Sequence, residues 1–587
     1  NNANNSALNY NWQEKEFCSK LKKQIQEKFS LANITAQILA NRFDDLDIID
    51  NFVNATLKHN LSDPFALKDM KKGVDLVVKA ILENKKIVIF ADYDVDGASS
   101  AALFKNYFKL INKKIGFYIP DRIKEGYGPN SKALLSLKEQ QTDLVITVDC
   151  GTSSFEPLEE AAKVGLDVIV IDHHLGGKET PQALAVINPN RHDETSKYTY
   201  LCAAGVSFLF LIALNKTLRE QNYFLNRAEP NLLNLLDLAA LGTVCDVVPL
   251  LGLNRAIVKQ GLKIMRQDKH IGLKALANIA NYDVAETTSY HLGFVIGPRI
   301  NAGGRVAVAS LGTKLLTSAN YEEAYEISEK LELHNRERKA LEQQVLQEAL
   351  EIIAMQKLAE KPVIIAVGEN WHIGVIGIVA SRIKEQYNLP VAIISFNDDI
   401  GKSSCRSIKG VDFGSAITKA GDLLVAGGGH KMAAGFTIKR AKLQEFSQYL
   451  QSNLSQQVKI ANKNKILAYD VNLPISALNV EFIEKLAILE PYGQDNAEPK
   501  FMIDNCKIFN LKEIGTNHYK LRLVEANSGV YGISIDAVIW KAKDTPLGNM
   551  LLQVQQQEIA VIALAKLNKW QNKTSVQLQI LDIKLTK

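Results

Sequence analysis

Four short apolar runs, at 87–90, 115–119, 144–148 and 168–171, each stop near a carboxylate or a turn, and this rhythm constrains the fold more than any other feature. Continuous apolar runs of this length, separated by helix-like stretches, suit strands buried on both faces of a parallel sheet. The stretches 133–138 and 158–164 have the spacing of crossover helices. In such sheets ligands gather beyond the C-terminal ends of the strands. Asp92, Asp149 and Asp172 each follow a run at that end.

Further along, residues 321–358 are rich in Glu, Lys, Gln and Leu and hold neither Gly nor Pro. The pattern predicts one helix, long enough at ~1.5 Å per residue to span more than about 50 Å and connect two lobes. After Pro362 the strand–helix texture returns at 363–367, 375–387 and 391–395, and Gly427-Gly428-Gly429-His430 reads as a Gly-rich turn. From about Lys465 the chain becomes a series of strand-like runs, 466–471, 501–508, 519–524, 533–539, 558–567 and 575–583. Their spacing fits an all-β barrel or sandwich, with Phe501, Trp540 and Trp570 expected among its core aromatics.

The 587 residues exceed one hydrophobic core and point to about three or four units. Cys18, Cys150, Cys202, Cys245, Cys405 and Cys506 are scattered without a Cys-x-x-Cys pair, which argues against a thiolate zinc site or a disulfide framework. A net charge of +5 is too mild to announce a polyanion ligand, so any such ligand needs its positive charge concentrated in a groove. No apolar run approaches the ~20 residues of a membrane span. The chain opens on polar, Asn-rich residues without Met, as a trimmed or processed end would, and without a signal pattern. The expectation is a cytoplasmic protein with no membrane partner.

The chemistry concentrates in four places. Asp92-Tyr93-Asp94-Val95-Asp96-Gly97 sets three carboxylates at alternate positions directly after a strand. Their mutual repulsion makes sense where cations neutralise it. A solvated acidic loop or a calcium loop is the bland rival. The calcium loop fails, because its twelfth position, counted from Asp92, is Leu103 rather than Glu. Val148-Asp149-Cys150-Gly151 ends a second strand on a carboxylate, a weak signal alone. Ile171-Asp172-His173-His174 adds two imidazoles, which invites a metal ligand beside an acid–base partner. Asp246 lies in the apolar stretch Leu241-Gly242-Thr243-Val244-Cys245-Asp246-Val247-Val248-Pro249, where an unpaired carboxylate is costly. An oxygen–nitrogen set without thiolate suits Mn²⁺ or Mg²⁺. Two such ions ~3.5–4 Å apart can activate water and stabilise a leaving oxygen, so the residues read as a metal-assisted phosphate-ester hydrolase.

The ordered set DYDVDG, VDCG, DHH and GTVCDVVPL resembles motifs I to IV of the DHH phosphoesterase superfamily. The resemblance implies that Asp94, Asp96, Asp149, His173 and Asp246 ligate two divalent cations, Mn²⁺ or Mg²⁺. Asp92 is a further ligand or a neighbour that holds one. Asp94, Asp96, Asp149 and His174 form the implied catalytic set. His174 is a contact to the substrate phosphate or a proton donor, and Asp172 orients the histidines. His291 to Arg305, with IGPRINAGGR at its end, is similar to the RecJ branch of that superfamily. There Arg299, Asn301 and Arg305 are implied to meet substrate, the arginines as forks for phosphate oxygens. Glu369 to Arg382, which contains His372, together with Gly427-Gly428-Gly429-His430, resembles the DHH-associated domain; Gly428, Gly429, His430 and His372 are its candidate substrate contacts. Ser404 and Arg406, in a Ser-x-Arg turn, and Arg122 are candidate anchors for a 5′ end, each with a surface salt bridge as rival. Pro491 to Pro499 and His518 to Leu523 resemble the oligonucleotide-binding barrel of the RecJ branch, with Tyr492, His518, Lys520 and Arg522 as candidate contacts.

The expected fold is therefore α/β. A parallel-sheet DHH domain (61–318) and a smaller DHH-associated α/β domain (361–455) are joined by a long helix (319–360) and followed by an OB-like β-barrel (460–587), with a helical extension at 1–60. The resemblance implies a processive 5′→3′ exonuclease of single-stranded DNA that releases 5′-mononucleotides in DNA repair and recombination. It acts as a monomer, with a single-strand-binding protein and a helicase as partners. Two rivals stand beside it. A phosphodiesterase of short oligoribonucleotides or cyclic dinucleotides has no need of the extra barrel. A non-catalytic scaffold has no need of the intact set of Asp and His.

Overall fold

The computed structural model describes residues 6–61, 63–121, 125–306, 308–463, 465–526, 532–555, 557–571 and 573–586. The apolar runs form a parallel sheet of β1 (Ile87–Ala91), β2 (Gly116–Tyr118), β3 (Leu144–Val148), β4 (Asp167–Ile171) and β5 (Ala185–Ile187), in the order β2-β1-β3-β4-β5. Every residue of β1 and β3 is buried, as continuous apolar strands require. The chain steps from β1 outward to β2, then returns to β3 on the other side of β1. That reversal opens a crevice at the C-terminal ends of β1 and β3, where α/β sheets of this kind bind ligands.

Around this sheet pack α1 (Val95–Leu110), α2 (Ala203–Glu220), α3 (Leu236–Cys245) and α4 (Gly252–Met265). Beyond them lies α5 (Gly297–Val306), entered through a π-helical turn at His291–Ile296. The predicted connector is α6 (Tyr321–Met355), 35 residues and so roughly 50 Å long. Its polar sequence packs because its buried charges are paired: Glu342 meets Arg338 on α6 and Arg382 on α7 (Ile373–Tyr387).

The second lobe is a five-stranded sheet of β6 (Ile364–Glu369), β7 (Val391–Asn397), β8 (Ile400–Arg406), β9 (Ala426–His430) and β10 (Ala433–Lys439), ordered β9-β10-β8-β7-β6. The glycine run expected as a turn is instead the edge strand β9. Its backbone pairs with β10 while all five residues stay exposed. Gly429 has φ +148°, and a Cβ there would lie 2.5 Å from the Ala433 carbonyl oxygen, so the run needs glycine to pair this closely.

Residues 471–585 form the third sheet: β11 (Val471–Asn472), β12 (Phe501–Ile514), β13 (His518–Glu525), β14 (Ser534–Ile539), β15 (Ile559–Trp570) and β16 (Lys573–Leu585). The order is β11-β12-β13-β14-β16-β15, and pairing of β12 with β15 closes it into a barrel. Phe501 lies in its core, but Trp540 does not: it is 48% exposed and sits edge-on to His518, 5.0 Å between ring centroids. The Trp570 side chain lies outside the described residues. The N-terminal segment joins this unit. Asn11–Glu14 pairs in parallel with Ile466–Tyr469, and Leu21, Ile25, Leu39 and Phe52 share one core with Phe501, Leu523 and Leu578. Buried Asp582 accepts hydrogen bonds from Leu8 N and Trp12 Nε1. Among the described residues no helix is long and apolar enough to cross a membrane.

Candidate metal centre

The sheet ladder itself lines up the carboxylates. One further backbone bond extends past each strand: Asp92 N to Val148 O (3.2 Å), Asp149 N to Ile171 O (3.0 Å) and Asp172 N to Ile187 O (3.1 Å). Three aspartates thus stand side by side at the crevice. Asp94 caps α1, its Oδ1 accepting from Asp96 N and Gly97 N, so the helix begins at Val95. A Cβ on Gly97 would lie 2.4 Å from the Asp92 carbonyl oxygen, so this tight turn requires glycine. Asp96, fully buried, accepts from Ala203 N and Ala204 N at the start of α2, where the helix dipole favours an anion. Asp246 ends α3. Gly242 on that helix lets it approach, since a Cβ there would sit 2.5 Å from Ala204 Cβ and 2.7 Å from Asp96 Oδ1.

These residues converge. Oxygens of Asp92, Asp94 and Asp149 lie within 4.8 Å of one another, as do ligand atoms of Asp96, His173 and Asp246. His173 Nε2 is 3.3 Å from Asp149 Oδ1, 3.6 Å from Asp246 Oδ2 and 3.8 Å from Asp96 Oδ2. Both His173 Nε2 and Asp246 Oδ2 are buried without a hydrogen-bond partner among the described residues. Orphaned polar atoms that face each other across an acidic pocket are what cation ligands look like without their ion. The oxygen and imidazole set fits Mn²⁺ or Mg²⁺. Burial, together with the Asp96 and Asp94 charges, pushes the Asp246 carboxyl up to about 9. Burial and the neighbouring aspartates hold Asp149 well above the usual carboxylate range. Burial lowers the His173 imidazole, which leaves it neutral and able to ligate.

His174 is held differently. Its Nδ1 lies 2.7 Å from Asp172 Oδ1, and Asp172 also accepts from Thr152 N and from both histidine backbone N–H groups. Burial opposes the charged imidazole, but the Asp172 bond outweighs it and lifts His174 to about 9. Its Nε2 lies 3.4 Å from the Tyr127 hydroxyl. Three residues that the sequence reading passed over complete the support. The Tyr127 hydroxyl donates to Asp149 O (3.0 Å) and lies 3.3 Å from His174 Nδ1. Asn188 Nδ2 donates to His174 O and Asn190 Nδ2 to His173 O. Their only sequence signals are a glycine-flanked tyrosine and an Asn-Pro-Asn after β5. Val247, just past Asp246, has φ +59°, which for a β-branched residue costs about 1–3 kcal/mol.

A second centre lies between the lobes. A cavity of about 420 Å³ is lined by Arg305, Gly374, Gly377, Ser381, Lys402, Ser404 and Arg406. Lys402, Ser404 and Arg406 alternate along β8 and so share a face. Arg406 donates to Ser404 Oγ (3.2 Å) and Cys405 O (2.8 Å). A Cβ on Gly377 would lie 3.0 Å from Ser404 Oγ and 3.2 Å from an Arg406 nitrogen, so this glycine keeps the pocket open. Arg305 Nη1 donates to Gly374 O across the lobes. The other candidates have different contacts. Arg299 is paired with Glu332 on α6 and donates to Val295 O. Asn301 Oδ1 accepts from Val95 N on the carboxylate loop. His372 caps α7 through Gly374 N. Gly428, Gly429 and His430 lie on the exposed edge strand. Arg122 falls outside the described residues. A larger depression of about 700 Å³, lined by Phe65, Lys68, Lys71 and Asp193 among others, holds none of the cluster's residues.

A parallel sheet with a carboxylate–imidazole cluster at its switch point, a second α/β lobe on a long helix and a closed barrel define a metal-dependent phosphoesterase of the DHH type. Residues 86–243 match the DHH family N-terminal domain, 360–456 the DHHA1 domain and 469–582 the RecJ OB domain. The chain is 35% identical over 493 residues to the single-stranded-DNA-specific exonuclease RecJ of Escherichia coli (strain K12), covering 81% of this chain and 85% of that one. With RecJ of Bacillus subtilis (strain 168) it shares 31% over 563 residues, covering 95% and 69%. The crystal structure of RecJ from Thermus thermophilus in complex with Mn²⁺ superposes with a TM-score of 0.77 at 28% identity, over 98% of this chain and 80% of that one. A Mg²⁺ complex of the same protein gives 0.73 at 26%, covering 98% and 78%. The chain belongs to the RecJ family.

Proposed function

We propose that this protein is a single-stranded-DNA-specific exonuclease that binds two divalent cations, starts at a 5′ end and releases 5′-mononucleotides during DNA repair and recombination. One observation carries the reading. Helix α5 touches the carboxylate loop at Asn301 and at Gly304, which packs on Tyr93, while the next residue, Arg305, lines the basic cavity. A single rigid element therefore ties the acidic cluster to a pocket of a size that suits a small ligand.

Divalent cations held by Asp92, Asp94, Asp149, Asp96, His173 and Asp246 supply charge neutralisation at the phosphoryl oxygens and activation of water. Arg406, Arg305 and Lys402 present positive charge to a terminal 5′-phosphate, and Ser404 donates its hydroxyl. Such charge-assisted bonds favour a dianionic end over an internal phosphate. With the end anchored, α5 sets the spacing to the bond that breaks, so one nucleotide leaves at a time. His174, oriented by Asp172, directs Nε2 at the scissile phosphate. The barrel holds the incoming strand by stacking and charge, through His518, Trp540, Lys520 and Arg522. Passage between the lobes admits one strand and excludes a duplex. We place this monomer in the cytoplasm, on strands exposed by a helicase and covered by a single-strand-binding protein.

The reading is tested with substrates of 40 and 2 nucleotides, each bearing a 5′-phosphate or a 5′-hydroxyl, in Mn²⁺. We expect the phosphorylated long strand to be degraded fastest. Equal rates on all four would remove both the anchoring pocket and the barrel from the account.

A further inference from the structure

The metal ligand Asp246 stands on a turn that the C-terminal unit grips. Four residues beyond it, Leu250 N donates to Gln494 O (2.9 Å). The Leu250 side chain, 1% exposed, lies under Gly493, where a Cβ would come within 2.5 Å of Leu250 Cδ1. Between them, Pro249 O accepts from Asn254 Nδ2, which pins the turn to the catalytic lobe. The turn also holds Val247 in a left-handed conformation that a β-branched residue does not choose unaided.

The gripping loop is itself clamped by one residue of the catalytic lobe. Arg255 on α4 is fully buried, yet its guanidinium meets no carboxylate within ion-pair distance among the described residues. Its charge is spent on backbone carbonyls: Phe52 O (2.8 Å), Ile488 O (3.0 Å), Leu489 O (3.2 Å) and Glu490 O (2.7 Å). It also lies over the Phe52 ring, 3.6 Å from the centroid. Phe52 lies in the last turn of a helix of the N-terminal segment (Leu46–Val53), and Ile488 to Glu490 lead into the loop that carries Gln494. Inside that loop, Asn496 Nδ2 donates to Leu489 O and Pro491 O.

We propose that Arg255 and the Gly493–Gln494 loop are positioning elements of the metal centre. They clasp the turn after α3 so that Asp246 faces His173. The C-terminal unit then does more than hold a strand: its docking sets the affinity of the cation site that contains Asp246. The inference rests on the reading of Asp246 as a ligand.

Mn²⁺ binding to the full chain, followed by the EPR signal of the free ion, tests it. Arg255→Lys keeps a positive charge but cannot reach four carbonyls, and Gly493→Val drives a side chain into Leu250. Each is expected to weaken one Mn²⁺ site about tenfold, the scale seen for groups that orient ligands. Each should slow hydrolysis of bis(4-nitrophenyl) phosphate, too small to need the barrel, in parallel. Adding Val247→Gly, which makes the turn comfortable without its clasp, should restore part of the affinity lost in Arg255→Lys. The inference is overturned if a folded variant keeps both sites within about twofold of the parent while only long-strand digestion falls. Should Arg255→Lys fail to fold, Gly493→Val, which leaves every bond of Arg255 in place, decides alone. Asp246→Ala separates the two layers. If it retains both sites, the ligand reading is wrong; if it loses one and the clasp variants lose none, only the clasp is wrong.

Discussion

The acidic cluster at the C-terminal ends of the parallel strands and the basic pocket of the second lobe are built on opposite physical plans. In the cluster, like charges are buried together and two polar atoms, His173 Nε2 and Asp246 Oδ2, are left without partners among the described residues. It is strained until cations arrive. In the pocket, Arg406 is already satisfied by Ser404 and Cys405 O, and the cavity stays open because Gly377 has no side chain. The first stores repulsion that a cation relieves; the second is a resting cradle. Changes in the cluster should therefore alter both chemistry and stability, whereas changes in the pocket should alter only where and how a strand binds.

The sharpest way to break that contrast is Asp149→Asn. Asp149 has φ +62°, which Asn tolerates, so the change removes charge without backbone strain. Activity should fall by at least about 10³-fold, roughly 4 kcal/mol of transition-state stabilisation. The Tm of the chelated protein should rise at neutral pH, because Asn stays neutral in the cluster without having to take up a proton. A fall in that Tm would mean the cluster is not frustrated. Next comes Arg406→Ala. Turnover of a 5′-phosphorylated strand should drop roughly 10²-fold, about 2.7 kcal/mol, with Tm nearly unchanged and the preference over a 5′-hydroxyl lost, as read from initial rates. Smallest is Trp540→Ala on the barrel. It should weaken binding of a 40-nucleotide strand about tenfold, the scale of one stacked base, and leave dinucleotide hydrolysis alone.

Acid–base linkage sharpens the same comparison. Without metal, the folded chain holds Asp246 up to about 9 and Asp149 well above its usual range, while both titrate near ~4 when unfolded. The folded state keeps protons that the unfolded chain releases, so this contribution to stability is lost as pH rises from about 4 through about 9. The rise in Tm on adding Mn²⁺ should therefore grow between pH 6 and 9, and should grow much less in Asp149→Asn. A flat difference would show that these carboxyls are ionised before the ion binds.

The cluster was largely legible in the sequence because its signal is local. Asp92, Asp149 and Asp172 each end an apolar strand, and the ladder turns that pattern into adjacency. The pocket was only partly legible. Ser404 and Arg406 could be named, but Lys402, Ser381 and Gly377 join them only because β8 faces α7, and a lone serine or lysine carries no such message. Trp540 was misplaced because a tryptophan at a strand end looks the same whether it faces in or out. The N-terminal segment showed no motif, since its role is packing against distant parts of the chain, as Asn11 paired with Ile466 illustrates. Arg299 and Asn301 illustrate a further limit. The motif implied that both meet substrate, Arg299 through phosphate oxygens; their contacts to Glu332 and to Val95 N carry no mark in the sequence.

The most direct test is digestion of a long single-stranded DNA labelled at its 5′ end, in Mn²⁺ and again after chelation. The account predicts that label appears at once as mononucleotide, with no ladder of shortened strands, and only while metal is present. A ladder of shrinking 5′-labelled products, or release that survives chelation, would contradict it.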